Sequence, residues 1–152
     1  MRYIPQSQLE PISVGVADKR IEVNLKQQQL TAFEGDNAVF TTRVASGYGA
    51  HFTPIGEHFV IRKQHTAYMI GGEGSDAYDL PGVSFPVYFT YSGCATHGTY
   101  WHNDYGRPRS HGCVNVTNQA AQWLFRWTEP AVPYTEYGLT VKPNEGTKVV
   151  VV

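Results

Sequence analysis

Residues 94–115 read CATHGTYWHNDYGRPRSHGCVN, and this short run holds three of the chain's six histidines and both of its cysteines. Cys113 is the candidate nucleophile. A free thiol titrates near ~8.5, so an attacking cysteine needs an imidazole, a cationic neighbour or a helix N-terminus to help release its proton. All three are expected here: His97 as the imidazole, Arg107 and Arg109 as cations, and a helix that should begin a few residues downstream. Gly112 permits a tight turn, and the backbone amides of Gly112 and Cys113 are natural donors to an oxyanion. His97 is the candidate base. Its second ring nitrogen needs an acceptor, and no Asp or Asn is an obvious one. A backbone carbonyl such as that of Gly98 would serve. Ser110 and His111 are expected to shape the loop and hydrogen-bond to substrate or backbone. Trp101 and His102 either line the site or pack the loop. Cys94, at the end of a strand-like run, reads as a core residue.

Other chemistries fit these residues less well. His97, His102, His111 and Cys113 offer four zinc ligands, but their spacings match no usual zinc pattern, so no metal and no cofactor is expected. A non-catalytic module that binds through Trp101 and surface tyrosines would need neither Cys113 nor His97. Papain-like chains place Cys before His, the reverse of the order here. Sortase-like chains need a downstream Arg, and the one near at hand, Arg126, falls on the expected helix.

Positioning such a site requires a scaffold, and the sequence spells out a mainly β one. Arg20–Leu25 alternates Ile21, Val23 and Leu25 with polar residues, the period of a half-buried strand. Gln29–Glu34 and Val39–Ala45 follow across Gly35-Asp36-Asn37, which suggests a hairpin or meander. Residues 46–57 form a Gly-rich loop, His58–Gln64 a strand, and 71–82 (GGEGSDAYDLPG) a long loop suited to a lid. Pro86–Tyr91 is a strand leading toward His97. Thr117 should cap a helix that presents Ala120, Trp123, Leu124 and Trp127 on one face and stops before Pro130. Tyr137–Val141 and Lys148–Val152 are expected closing strands.

Bulk composition agrees with this scaffold. The 152 residues fit one domain, with 41% hydrophobic and 16% charged residues. Fifteen Gly, nine Pro and ten Tyr favour strands joined by turns. A formal charge of -1 offers no footprint for nucleic acid. No apolar run is long enough to span a bilayer. The opening MRYIPQSQLEP lacks the apolar segment of a secretory signal. Residues 1–13 read as a tail or linker and 14–152 as the domain.

The motif run resembles the L,D-transpeptidase catalytic domain of the YkuD type. That pattern is His-Gly-Thr, a gap, then Ser-His-Gly-Cys, an aliphatic and Arg or Asn. It stands here as His97-Gly98-Thr99 and Ser110-His111-Gly112-Cys113-Val114-Asn115. Residues 21–33 are similar to the family's opening hairpin, and Thr53-Pro54-Ile55-Gly56 to its Thr-Pro-x-Gly turn, so the likeness covers roughly residues 14–152. The resemblance implies β-sandwich-like mixed sheets with one helix after the cysteine. It implies Cys113 as nucleophile, His97 as base held by the Gly98 carbonyl, and Gly112 and Cys113 amides as the oxyanion hole. Ser110, His111 and Asn115 would support the site, with Trp101 and Arg109 beside it and Tyr78 as the lid's aromatic. The implied substrates are peptidoglycan tetrapeptide stems, joined by 3→3 cross-links with release of D-Ala, or hydrolysed when water is acceptor. Carbapenem β-lactams are implied covalent ligands and a monomer the expected state. Family members act outside the cytoplasm, in periplasm or cell wall, so an export signal or anchor is expected beyond this chain. Cys94 is no part of the motif, and an oxidising exterior would couple it to Cys113 if geometry allowed.

Overall fold

The computed structural model describes residues 15–152; the stretch read as a tail, 1–13, lies outside them. The strands are β1 Lys19–Asn24, β2 Gln29–Glu34, β3 Asn37–Arg43, β4 Gly56–Phe59, β5 Arg62–Gln64, β6 Thr66–Gly71, β7 Tyr78–Ser84, β8 Val87–Tyr88, β9 Ala95–Gly98, β10 Val114–Val116, β11 Gly138–Thr140 and β12 Lys148–Val151. The single α-helix among the described residues, α1, spans Asn118–Trp127.

The expected meander forms as written: β1 pairs antiparallel with β2, and β2 with β3. The register sets Ile21 opposite Ala32 and Val23 opposite Leu30, so the alternating apolar residues share one face, and all four are fully buried. The C-terminal strand β12 lies parallel to β1 and antiparallel to β4, completing a sheet of order β3-β2-β1-β12-β4. A second sheet has order β10-β9-β8-β5-β11. One core fills the space between them, built from Ile21, Val23, Leu30, Val149 and Val151 of the first sheet, Val87, Val114 and Val116 of the second, and Leu124 and Trp127 of the helix. This is the mainly β, mixed-sheet sandwich with one helix that the sequence implies.

Three elements differ from expectation. The run 58–64 is two strands, since β4 belongs to the first sheet and β5 to the second. The chain crosses between sheets at the buried Val60, whose N–H reaches Thr147 while the next amide, of Ile61, reaches Tyr88. Periodicity shows that a residue is buried, not which partner it pairs with. The stretch 71–82 is no open loop. β6 and β7 form an antiparallel hairpin closed by a 3₁₀ turn at Gly74–Asp76. Pro81 and Gly82 survive in β7 because this is a two-stranded ribbon, where a missing donor breaks no central ladder. Finally, PVYFTY gives only the short β8, and the chain turns through Gly93 (φ 105°) into β9. His97 therefore sits on a buried strand of its own, β9.

The helix matches its sequence signals. Thr117 accepts a hydrogen bond from the Ala120 N–H at 3.1 Å, and Ala120, Ala121, Leu124, Phe125 and Trp127 are buried. Trp123 stacks on Phe40 at 4.3 Å between centroids, and Trp127 donates from Nε1 to Glu34 at 2.8 Å. Gly98 lets the helix start close over β9. A β-carbon there would sit 2.1 Å from the Asn118 side-chain oxygen, 2.2 Å from Ser84 Oγ and 3.1 Å from the Asn118 Cα. Two stability outcomes are expected in denaturant titrations. Trp127→Ala removes a fully buried ring and should lower unfolding free energy by about 3–5 kcal/mol. Gly98→Ala forces the helix start off the strand and should lower it by about 1–3 kcal/mol; an unchanged midpoint would mean that this contact relaxes freely.

Candidate active site

The site is assembled by one strand pair. β9 and β10 run parallel, with Thr96 opposite Val114, His97 opposite Asn115 and Gly98 opposite Val116. Cys113 is the residue just before β10, so this register brings it beside the start of β9. All seven residues of the two strands are buried, which fixes the ladder in place. Beyond β10 the chain enters α1 at once, and that helix packs back onto β9.

His97 is 3% exposed, and its Nδ1 lies 2.8 Å from the Gly98 carbonyl. A carbonyl only accepts, so Nδ1 carries the hydrogen and Nε2 is the free lone pair. Burial lowers the His97 pKa to about 4; the Gly98 carbonyl pulls it upward and His102 downward. Cys113 and Cys94 are both free thiols. Burial pushes the Cys113 thiol up to about 12, against a favourable hydrogen bond from the Ala95 backbone, with Cys94 adding to the rise. The expectation that imidazole, arginines and helix would together depress this pKa is thus corrected. The imidazole is neutral. Arg107 and Arg109 are both drawn to Asp104, whose carboxyl they hold below its usual range. The helix starts only after the three residues of β10.

Cys113, His97, Ser110, His111, Asn115, Tyr78, Trp101 and Arg109 line one cavity of about 330 Å³. Gly98 and Gly112 act from behind it through their backbones. Gly112 has φ 118°, a conformation that side chains disfavour, and its N–H is directed at Ser110 Oγ at 3.1 Å. That amide, expected as an oxyanion donor, is already bonded within its own turn. Ser110 Oγ in turn donates to the Cys113 carbonyl. Thr53 holds the same turn from outside, donating to the Gly112 carbonyl at 2.9 Å while accepting from the Gly47 N–H.

Trp101 leans on His97, with ring centroids 5.9 Å apart. Tyr78 hangs over the site from β7, its ring 4.8 Å from that of His111. Burial and the nearby Cys113 raise its phenol pKa, so the hydroxyl stays protonated as a donor. Asn115 is 3% exposed, and its amide lies 3.0 Å from His102 Nε2. His102 Nδ1 accepts from the Asp104 N–H, so Nε2 must carry the ring hydrogen. With the ring hydrogen on Nε2, the Asn115 amide pairs with His102 through its oxygen, and the other atom of the amide is buried without a partner.

Some lining residues were not legible beforehand. Met69 and Leu80 form the hairpin wall, Ser92 and Gly93 the turn before β9. Cys94, read as core, touches the core but also lines the cavity. The Thr-Pro-x-Gly run was visible as a turn, but nothing in it announced that Thr53 braces Gly112. His97, His102, His111 and Cys113 do not converge as metal ligands among the described residues.

The family model for the L,D-transpeptidase catalytic domain (YkuD) matches residues 18–151. Among solved structures, an L,D-transpeptidase from Mycobacterium smegmatis is similar at TM-score 0.73 and 19% identity, covering 89% of this chain and 58% of that one. An LD transpeptidase in complex with imipenem is similar at TM-score 0.73 and 24% identity, covering 89% and 59%. The catalytic domain of an Enterococcus faecium L,D-transpeptidase is similar at TM-score 0.68 and 24% identity, covering 91% and 99%. The chain thus spans less than two thirds of the first two and nearly all of the isolated domain. A search of curated protein sequences returns no match. With the His-Gly-Thr strand and the Ser-His-Gly-Cys turn meeting in one cavity, and a family match over nearly all described residues, the chain belongs to the L,D-transpeptidase catalytic domain (YkuD) family.

Proposed function

We propose that residues 14–152 form the catalytic domain of a peptidoglycan L,D-transpeptidase in which Cys113 is the nucleophile and His97 its general base. The observation that carries this reading is the His97–Gly98 hydrogen bond, which leaves Nε2 as an acceptor in the cavity that Cys113 lines. The thiol and the imidazole start neutral. As Sγ attacks the carbonyl between the third stem residue and D-Ala, its proton passes to Nε2 and a tetrahedral oxyanion forms. The Cys113 N–H and the Tyr78 hydroxyl are the proposed donors to that oxygen, with Gly112 joining if its amide leaves Ser110. The imidazolium then protonates the departing amine, the C–N bond breaks, D-Ala leaves and a thioester remains. A side-chain amine of a second stem attacks the thioester, His97 takes its proton, and a 3→3 cross-link results. Water in the same place gives L,D-carboxypeptidase activity.

Asn115 supports the site by bracing the His102 ring at the wall of the cavity. Ser110, His111 and Arg109 present polar groups at the mouth, while Trp101 both orients His97 and lines the floor. One chain supplies the whole constellation, which fits a monomer. Stems of this kind lie outside the cytoplasmic membrane, so the domain works in the periplasm or cell wall. The imipenem complex of a similar structure supports carbapenems as acylating ligands.

Intact mass after carbapenem treatment tests the assignment. The wild type and Cys94→Ala should each gain one adduct, and Cys113→Ala none. An adduct on Cys113→Ala would sink it. The pH profile tests the base. His97 must be neutral to take the proton, and with its pKa lowered to about 4 it is neutral throughout the ordinary range. Acylation should hold its rate from neutral pH down to well below 6.5 and fail only as pH drops through about 4. A rate that climbs about tenfold per pH unit above neutrality would instead mean that free thiolate is the reactant.

A further inference from the structure

Two side chains outside the chemistry above, His51 and Asp76, converge on His111 at the rim of the cavity. His51 belongs to the loop between β3 and β4, Asp76 to the 3₁₀ turn at the hairpin tip, and His111 to the Ser-His-Gly-Cys turn. One ligand atom of each lies within 4.8 Å of the other two. His51 Nε2 is 3.7 Å from Asp76 Oδ2, and the His51 and His111 rings are 5.0 Å apart. Backbone bonds close the His51 loop (His51 N–H to the Tyr48 carbonyl) and join it to the Ser-His-Gly-Cys turn (Tyr48 N–H to the Ser110 carbonyl), while Asp76 N–H to the Glu73 carbonyl closes the hairpin tip. Tyr78 backs the His111 ring.

We propose that His51, Asp76 and His111 form a binding site for zinc(II), and that the bound ion ties the hairpin tip to the Ser-His-Gly-Cys turn and slows entry to the cavity. Two imidazoles and one carboxylate are a donor set that zinc accepts, with water or another ligand in the fourth position. Zinc bonds of about 2.0–2.1 Å place tetrahedral donors roughly 3.3 Å apart. The separations here exceed that by an amount that rotation of exposed side chains covers. The neutral His pair and single Asp leave the loaded site with one net positive charge, which the solvent at the rim screens. The binding stands without the acyl-transfer reading, whereas the effect on entry rests on it.

Calorimetric titration with zinc(II) tests the binding. Wild type and Cys113→Ser should each bind one ion with closely similar affinity. His51→Gln and Asp76→Asn, both at exposed positions, should each weaken it by about tenfold or more. Cobalt(II) in place of zinc should give visible ligand-field bands in Cys113→Ser that His51→Gln loses. Absence of binding to the wild type would overturn the site. Binding that survives His51→Gln but vanishes in Cys113→Ser would also overturn it, because the ion would then sit on the thiol. For the clamp, zinc should slow carbapenem acylation of the wild type severalfold and leave Asp76→Asn unaffected. Equal slowing of both proteins, or of neither, would overturn the clamp. A wild type that is not acylated even without zinc would count against the transpeptidase reading while the titration still decides the site.

Discussion

The parallel pairing of β9 with β10 is the constraint on which the rest depends. It joins two segments separated by the whole Thr99–Cys113 excursion and gives them one register, Asn115 against His97. A slip of one residue would turn every side chain of β10 to the opposite face. The slip is prevented by burial, since Val114 and Val116 insert into the core while Asn115 faces the cavity and pairs through its backbone with Ala45. The helix then closes over β9 where Gly98 leaves room for it. The catalytic geometry and the hydrophobic core are therefore secured by the same few residues.

Burial also sets the chemistry. His97 is almost wholly buried and Cys113 partly so, and each responds by favouring its neutral form: the imidazole titrates lower and the thiol higher. Such a pair stores no ion pair at rest. In the proposed mechanism, charge separation waits for an acceptor carbonyl, when the oxyanion donors and the proton transfer act together. This differs from the exposed, cation-flanked thiolate that the arginines of the sequence suggested. Those arginines clasp Asp104 instead, and Arg109 also lines the cavity.

The rim is built on weaker terms than the floor. The hairpin β6–β7 stands outside both main sheets, anchored by Tyr100 donating to the Pro81 carbonyl and by Ser84 bonded to Asn118. Its inner wall is Met69, Leu80 and Tyr78, while Tyr68 and Ile70 face outward. A two-stranded ribbon with few buried contacts opens more readily than the core beneath it. The floor carries Cys113 and His97, and the ribbon walls the cavity above them.

The sequence alone determined the meander, the capped helix and the closing strands, and it singled out Cys113 and His97 as the candidate pair that the structure brings to one cavity. These are local signals: alternation at Ile21, Val23 and Leu25, a Thr cap before a helical apolar face, and residue types with few other uses in one short run. It also pointed to a backbone carbonyl as the partner of His97, because no acidic residue was at hand. Only the tertiary structure decided the rest, and the reason is the same each time. Which sheet a strand joins, whether a Gly- and Pro-containing run pairs with a distant neighbour, whether an arginine faces a thiol or an aspartate, and how deeply a cysteine is buried all depend on residues far away in the chain. Thr53 reaching Gly112, and His51 meeting Asp76 and His111, are contacts between loops, and loops carry no periodicity from which such a meeting can be read.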